Sequence, residues 1–123
     1  MGDRSNVVVK DGQSQVWLYG HWNGESYVND TQAALARRVR WNDPSYLARI
    51  IFDQLTDGQH GEETGFGIST SIGDNNRPIL VVDVRRQIIY LLPKRTLTPD
   101  GIVPNDYEPS ERWTFEEFAV ATL

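Results

Sequence analysis

The sequence predicts an α+β fold: one compact domain over residues 1–123, a mostly antiparallel sheet, and two central helices on one face. Three observations lead there. Short β-branched runs joined by tight-turn signals stand at both ends of the chain, which favours hairpins over long crossovers. Between them, residues 31–58 carry apolar side chains at helical spacing. Hydrophobic residues make up 39% of the chain and charged residues 24%, so it should fold. A chain of this length buries roughly two-thirds of the surface its unfolded form exposes.

The expected element order is β-β-α-α-β-β-β-α. "NVVVKDGQSQVWLYGHW" reads as a hairpin turning at Asp11-Gly12, a pair suited to positive φ. Its second strand is bulky on both faces, with Val16 and Leu18 on one and Trp17, Tyr19 and His21 on the other, so both faces should be covered. A first helix is expected from about Thr31 to Trp41, with Asp30 as candidate cap, Leu35 and Val39 buried, and Arg37, Arg38 and Arg40 outward. The second helix is the best signalled. Asp43 suits the N-cap and Pro44 the first position; Leu47, Ile50, Ile51 and Leu55 repeat at helical spacing, and Gly58 suits the end. "GFGISTSI" alternates, placing Phe66, Ile68, Thr70 and Ile72 on one face; "GDNN" is a turn, and "PILVVDV" and "QIIYLL" form a hairpin around Arg85 and Arg86. Residues 93–112 hold four of the six prolines and read as a surface excursion. Thr114 and Glu117 form a capping box, with Trp113 and Phe118 as its hydrophobic staple, opening a last short helix.

Charge and composition bound the function. Residues 1–96 balance 11 Lys and Arg against 11 Asp and Glu; the whole net charge of −5 lies in residues 97–123. With no basic stripe, direct nucleic-acid binding is not expected. An acidic segment faces water or a basic protein partner. Cysteine is absent, which fits a reducing cytosol and rules out thiolate metal sites. No apolar run approaches the roughly 20 residues of a membrane helix, and the charged "MGDRSNVVVK" does not read as a signal peptide.

"MGDRSNVVVK" and "LYGHWNGE" together resemble a family of small, uncharacterised bacterial and phage proteins, which open on a Met-Gly-Asp/Asn-Arg segment and carry a Tyr-x-His-Trp-Asn-Gly segment soon after. The matching residues are Gly2, Asp3, Arg4, Tyr19, His21, Trp22, Asn23 and Gly24. The resemblance covers mainly the first 25 residues and, more loosely, "GISTSIGDN"; it implies a bacterial cytosolic or mobile-element setting and no particular chemistry.

Two readings of His21 and Trp22 stand side by side. In the structural one, Trp22 plugs the sheet edge, His21 bonds a backbone carbonyl, and Asn23-Gly24 turns the chain. In the functional one, Trp22 stacks on a planar ligand and His21 exchanges a proton. His60, Glu62 and Glu63 read as a solvated loop; with His21 they match no metal-ligand spacing, and no metal or cofactor is expected. Ser69, Thr70 and Ser71 lack a nucleophile elbow. "GDNN" is not a phosphate loop, and Arg37 and Arg38 are candidates to pair with the chain's own acidic segment. The expected function is a non-enzymatic protein-binding module that engages a basic partner through Asp106, Glu108 and Glu111, with His21 and Trp22 as further binding residues. A phage-encoded modulator of a host factor, such as a defence system, is one form of it. The alternative is a small-molecule or nucleotide-binding protein, or a small enzyme, built on His21, Trp22 and the His60 loop.

Overall fold

The computed structural model describes residues 2–59 and 61–123. Strands β1 (Ser5–Asp11) and β2 (Ser14–Gly20) form the first hairpin. Its two central residues are Gly12 and Gln13, of which only Gly12 has positive φ, the pattern of a II′ turn. Helices α1 (Tyr27–Ala36) and α2 (Pro44–Thr56) follow, then the edge strand β3 (Phe66–Ser69), the hairpin β4 (Ile79–Asp83) and β5 (Ile88–Leu92), and finally the two-residue β6 (Trp113–Thr114) running into α3 (Phe115–Val120). The sheet order is β3-β2-β1-β4-β5-β6. All pairings are antiparallel except β1 with β4, at the centre. That parallel contact requires the long crossover that the two helices supply.

Alternation along the strands divides the core in two. Val7, Val9, Leu18, Leu80, Val82 and Ile89 face the helices, where Leu35, Leu47, Ile50, Ile51, Leu55, Phe115 and Phe118 meet them. Val8, Trp17, Ile79, Val81, Tyr90 and Leu92 face the other way. This second face is covered by residues 93–112, so the expected surface excursion is a packed strap: Val103 is fully buried, and Tyr107 stacks on Tyr90 with ring centroids 5.6 Å apart. Gln15 fixes the strap by bonding both polar groups of the Val103 backbone, at 2.8 and 3.0 Å.

Two elements, α1 and β3, depart from the sequence reading. Helix α1 starts four residues early, because the Asn23 carbonyl accepts from the amides of Ser26 and Tyr27 and buried Tyr27 anchors the first turn through a 2.7 Å bond to the Pro78 carbonyl. The N-cap residue is Ser26 rather than Asp30. The helix also ends early. Arg38 and Arg40 take φ of 57° and 59°, so Val39 stays exposed, and Trp41 swings back to donate to the Leu35 carbonyl and meet Phe115 edge-on. Strand β3 stops at Ser69, before the alternation of "GFGISTSI" is complete: Phe66 packs on the helix side, Ile68 is exposed, and Ile72 joins the strap side. Helix α2 and the Thr114–Glu117 capping box form as expected, with Asp43 accepting from the Tyr46 amide, Gly58 at positive φ, and Trp113 against Phe118 at 5.3 Å.

Between β3 and β4 the chain crosses from one edge of the sheet to its centre. Buried Asn6 holds this crossing. Its amide accepts from the Gly73 N–H and donates to the Asp74 carbonyl and the Asn75 side chain, each at 3.1 Å. Arg4 and Asn76 exchange two further bonds of 2.9 Å, so the crossing loop and the N-terminal segment are tied together.

Candidate functional site

Residues 2–4 and 19–24, some fifteen positions apart in the chain, meet at the open end of the β1–β2 hairpin. The Asp3 amide donates to the His21 carbonyl, and the Gly24 amide donates to the Asp3 carbonyl, both at 2.9 Å. Asn23 accepts from the Ser5 hydroxyl at 2.7 Å. Arg77 grips the Asp3 carboxylate with two bonds, at 2.8 and 2.5 Å, and holds that carboxyl below its ordinary value. Gly24 is required by this contact and not by its φ: a Cβ there would stand 2.0 Å from the Asp3 Oδ1. Neither Asn23 nor Gly24 has positive φ, so the pair works as a hydrogen-bonding corner.

His21 sits on this frame. Its backbone amide donates to the Gly65 carbonyl at 2.8 Å, joining the corner to the loop ahead of β3. Its Nδ1 shares a 2.7 Å hydrogen bond with the Tyr19 hydroxyl, where the sequence suggested a backbone carbonyl. Its Nε2 lies 2.9 Å from where a Gly2 Cβ would stand. The ring is therefore oriented by side chain on one side and packed against the N-terminal segment on the other.

Trp22 does not plug the sheet. It is 57% exposed, lying edge-on to His21 at 4.6 Å and against the backbone of Gly65. Together Tyr19, His21, Trp22, Thr64, Gly65 and Phe66 line an open depression of about 480 Å³. Beyond it runs β3, which ends the sheet and presents Ile68, 62% exposed. Such an edge leaves a row of backbone donors and acceptors without strand partners.

Glu62 lines an adjoining hollow, which shares Thr64 and Phe66 with this depression, and Glu63 lines neither. His60 lies outside the described residues. Among the described residues no three His, Asp or Glu side chains come together as metal ligands, and no helix is long and apolar enough to cross a membrane.

The acidic candidates divide. Glu108 is engaged by Arg86 at 2.8 Å and lies 3.8 Å from Arg112. Asp106 and Glu111 are exposed and make no ion pair among the described residues. Glu116 is taken by Arg38, the internal pairing expected for that arginine. Thr64, Gly65 and Arg77 carry no signal in the sequence, and Asp3 stands out there only as one residue of the opening segment.

Comparison of the chain with protein-family models, curated proteins and solved structures returns no match.

Proposed function

We propose that the chain is a non-enzymatic protein-binding module whose contact surface is the open sheet edge at Trp22 and β3. The observation that carries this is the half-exposed Trp22, immobilised by His21 and Gly65 beside an unpaired strand edge. Rigid exposed aromatics are the usual anchors of protein interfaces, and a bare edge accepts an added strand. His21 supports the anchor: its Nδ1 shares a hydrogen bond with the Tyr19 hydroxyl, and its ring lies edge-on to Trp22.

The acidic region contributes differently. Asp106 and Glu111 add long-range attraction to a basic partner, which raises the association rate more than it strengthens the complex. Glu108 serves the strap through Arg86. The lack of cysteine supports a cytosolic setting, and the family resemblance supports a bacterial host protein as partner.

The test is affinity capture from bacterial lysate with wild type, Trp22→Ala, and the double variant Asp106→Asn/Glu111→Gln, followed by binding kinetics on whatever wild type retains. Trp22→Ala should lose the partner while melting normally. The double variant should bind more slowly with little change in dissociation. An unchanged affinity in Trp22→Ala would place the interface elsewhere. A second reading rests on the depression itself, whose aromatic walls suit a planar small molecule. A melting shift with nucleotides and no captured protein would favour it.

A further inference from the structure

We propose that the far end of the same hairpin, around Lys10, is a binding site for a phosphate group, either the free ion or a small monoester. It stands apart from the Trp22 surface: Ser5, paired with Gly20, marks one end of β1, and Lys10 lies about 16 Å away at the roughly 3.3 Å rise of a strand.

Lys10 is a cation in the wrong place for a structural lysine. Alternation puts its side chain on the strap face, between its register partners Gln15 and Asp83. It is 4% exposed. Both neighbours are already committed. The Gln15 side chain bonds Val103 and the Trp17 indole. The Asp83 carboxylate accepts from the Arg86 amide at 3.0 Å and from its Nε at 2.9 Å. Among the described residues Lys10 makes neither an ion pair nor a side-chain hydrogen bond. A lysine whose stem is so buried, with no anion beside its ammonium, is unusual.

The ammonium is not sealed in, however. Lys10 lines a cavity of about 230 Å³ with Gly12, Gln13, Asp83, Arg85, Arg86 and Asn105. The volume falls below the roughly 300–1,000 Å³ of drug-sized pockets and suits a phosphate with a small organic stub. Gly12 shapes the rim. Its φ is 63°, and a Cβ there would stand 2.6 Å from the Arg85 Cζ, so the guanidinium lies directly over the turn. Arg85 meets Asp11 only at 3.5 Å, on an exposed surface, and can turn inward at little cost.

Charge accounting singles out the same residue. Three carboxylates stand nearby and three arginines answer them: Asp83 pairs with Arg86, Glu108 with Arg86 and Arg112, and Asp11 with Arg85. Lys10 is the cation left over. A tetrahedral anion placed here offers oxygens to the Lys10 ammonium and to the Arg85 fork from different sides, which a planar carboxylate with two oxygens would not use as fully.

The experiment is an amide chemical-shift titration of the full chain with inorganic phosphate at constant ionic strength, with acetate as the planar control and ribose 5-phosphate as a monoester. Saturable shifts with phosphate confined to residues 10–13, 83–86 and 105 are expected. In Lys10→Met the affinity should fall about tenfold or more, as the loss of a charge-assisted hydrogen bond implies, while the melting temperature without phosphate stays level or rises. Tighter binding of ribose 5-phosphate than of phosphate identifies a monoester; equal binding identifies the free ion. Absence of saturation, equal shifts with acetate, or unchanged binding in Lys10→Met overturns the proposal. The exposed Arg85→Gln variant carries the test without touching the core, and an unchanged phosphate affinity there overturns it as well.

Discussion

Replacing Asn6 by alanine tests how the sheet and the N-terminal corner are tied together. Asn6 is fully buried, and its amide makes three bonds of 3.1 Å to the crossing loop. Each such bond contributes about 0.5–1.5 kcal/mol net, and each group left buried without a partner costs about 1–3 kcal/mol. Three bonds alone therefore bound the loss at about 1.5–4.5 kcal/mol. The loop side is not sealed, since Gly73 is half-buried and Asp74 exposed, so water can replace part of what is lost. The expected cost of Asn6→Ala is thus about 2–3 kcal/mol. Urea unfolding followed by tryptophan fluorescence and circular dichroism measures it, with the denaturant slope unchanged. Asn6→Asp should cost more than alanine: it keeps the acceptor for Gly73 but turns a buried charge toward the Asp74 carbonyl. A loss below about 0.5 kcal/mol for alanine, the size of an ordinary surface change, would refute the reasoning. So would an aspartate variant as stable as the alanine one.

Leu55→Ala on the buried face of α2 should cost about 2–5 kcal/mol from transfer and cavity terms, read from the same unfolding curves. Gly24→Ala should destabilise the corner and release the Asp3 carboxyl toward its ordinary value of 3.8, which carboxyl carbon shifts in an NMR titration would report. The Arg77 bond depresses the folded Asp3 value, so its stabilisation is present above the unfolded value and lost as pH falls through the folded one; Arg77→Gln should flatten the stability profile below about pH 4. Tyr27 and Tyr90 are pushed up to about 12 by burial, so absorbance near 295 nm should show two late-ionising tyrosines, with stability declining as pH rises from about 10 toward that value.

Much of the fold was legible because local chemistry and tertiary packing agree there. Asp43-Pro44 starts α2, Thr114 and Glu117 cap α3, and bulk on both faces of "QVWLY" correctly announced a sheet covered twice. Where the reading slipped, a distant contact decided. Nothing local to "ARRVRW" announces that Trp41 must reach Phe115, and that reach unwinds α1 at two arginines. Four prolines kept strand and α-helix out of residues 93–112, where the structure has only a 3-10 turn at Lys94–Thr96, but they could not reveal that Val103 and Tyr107 close the second core. The central parallel pairing of β1 with β4 was likewise beyond pattern, since its register depends on two helices fitting between the strands.

The site was legible as residues and not as roles. His21 and Trp22 stood out because a histidine and a tryptophan after a strand have either structural or binding work to do. In the structure the imidazole is fastened to Tyr19 and stands beside Gly2, while the indole edge-on to it is 57% exposed. Carboxylates behave similarly. Glu108, the central member of the acidic trio, stays exposed but is paired with Arg86, so its charge is matched where those of Asp106 and Glu111 are not. Lys10 escaped notice altogether, because a lone lysine beside an Asp-Gly turn reads as solvent-facing. Only the strap laid across that face buries it, and only the commitment of Asp83 to Arg86 leaves it without an anion. Composition locates the charges; which of them has a vacant partner is a property of the packing.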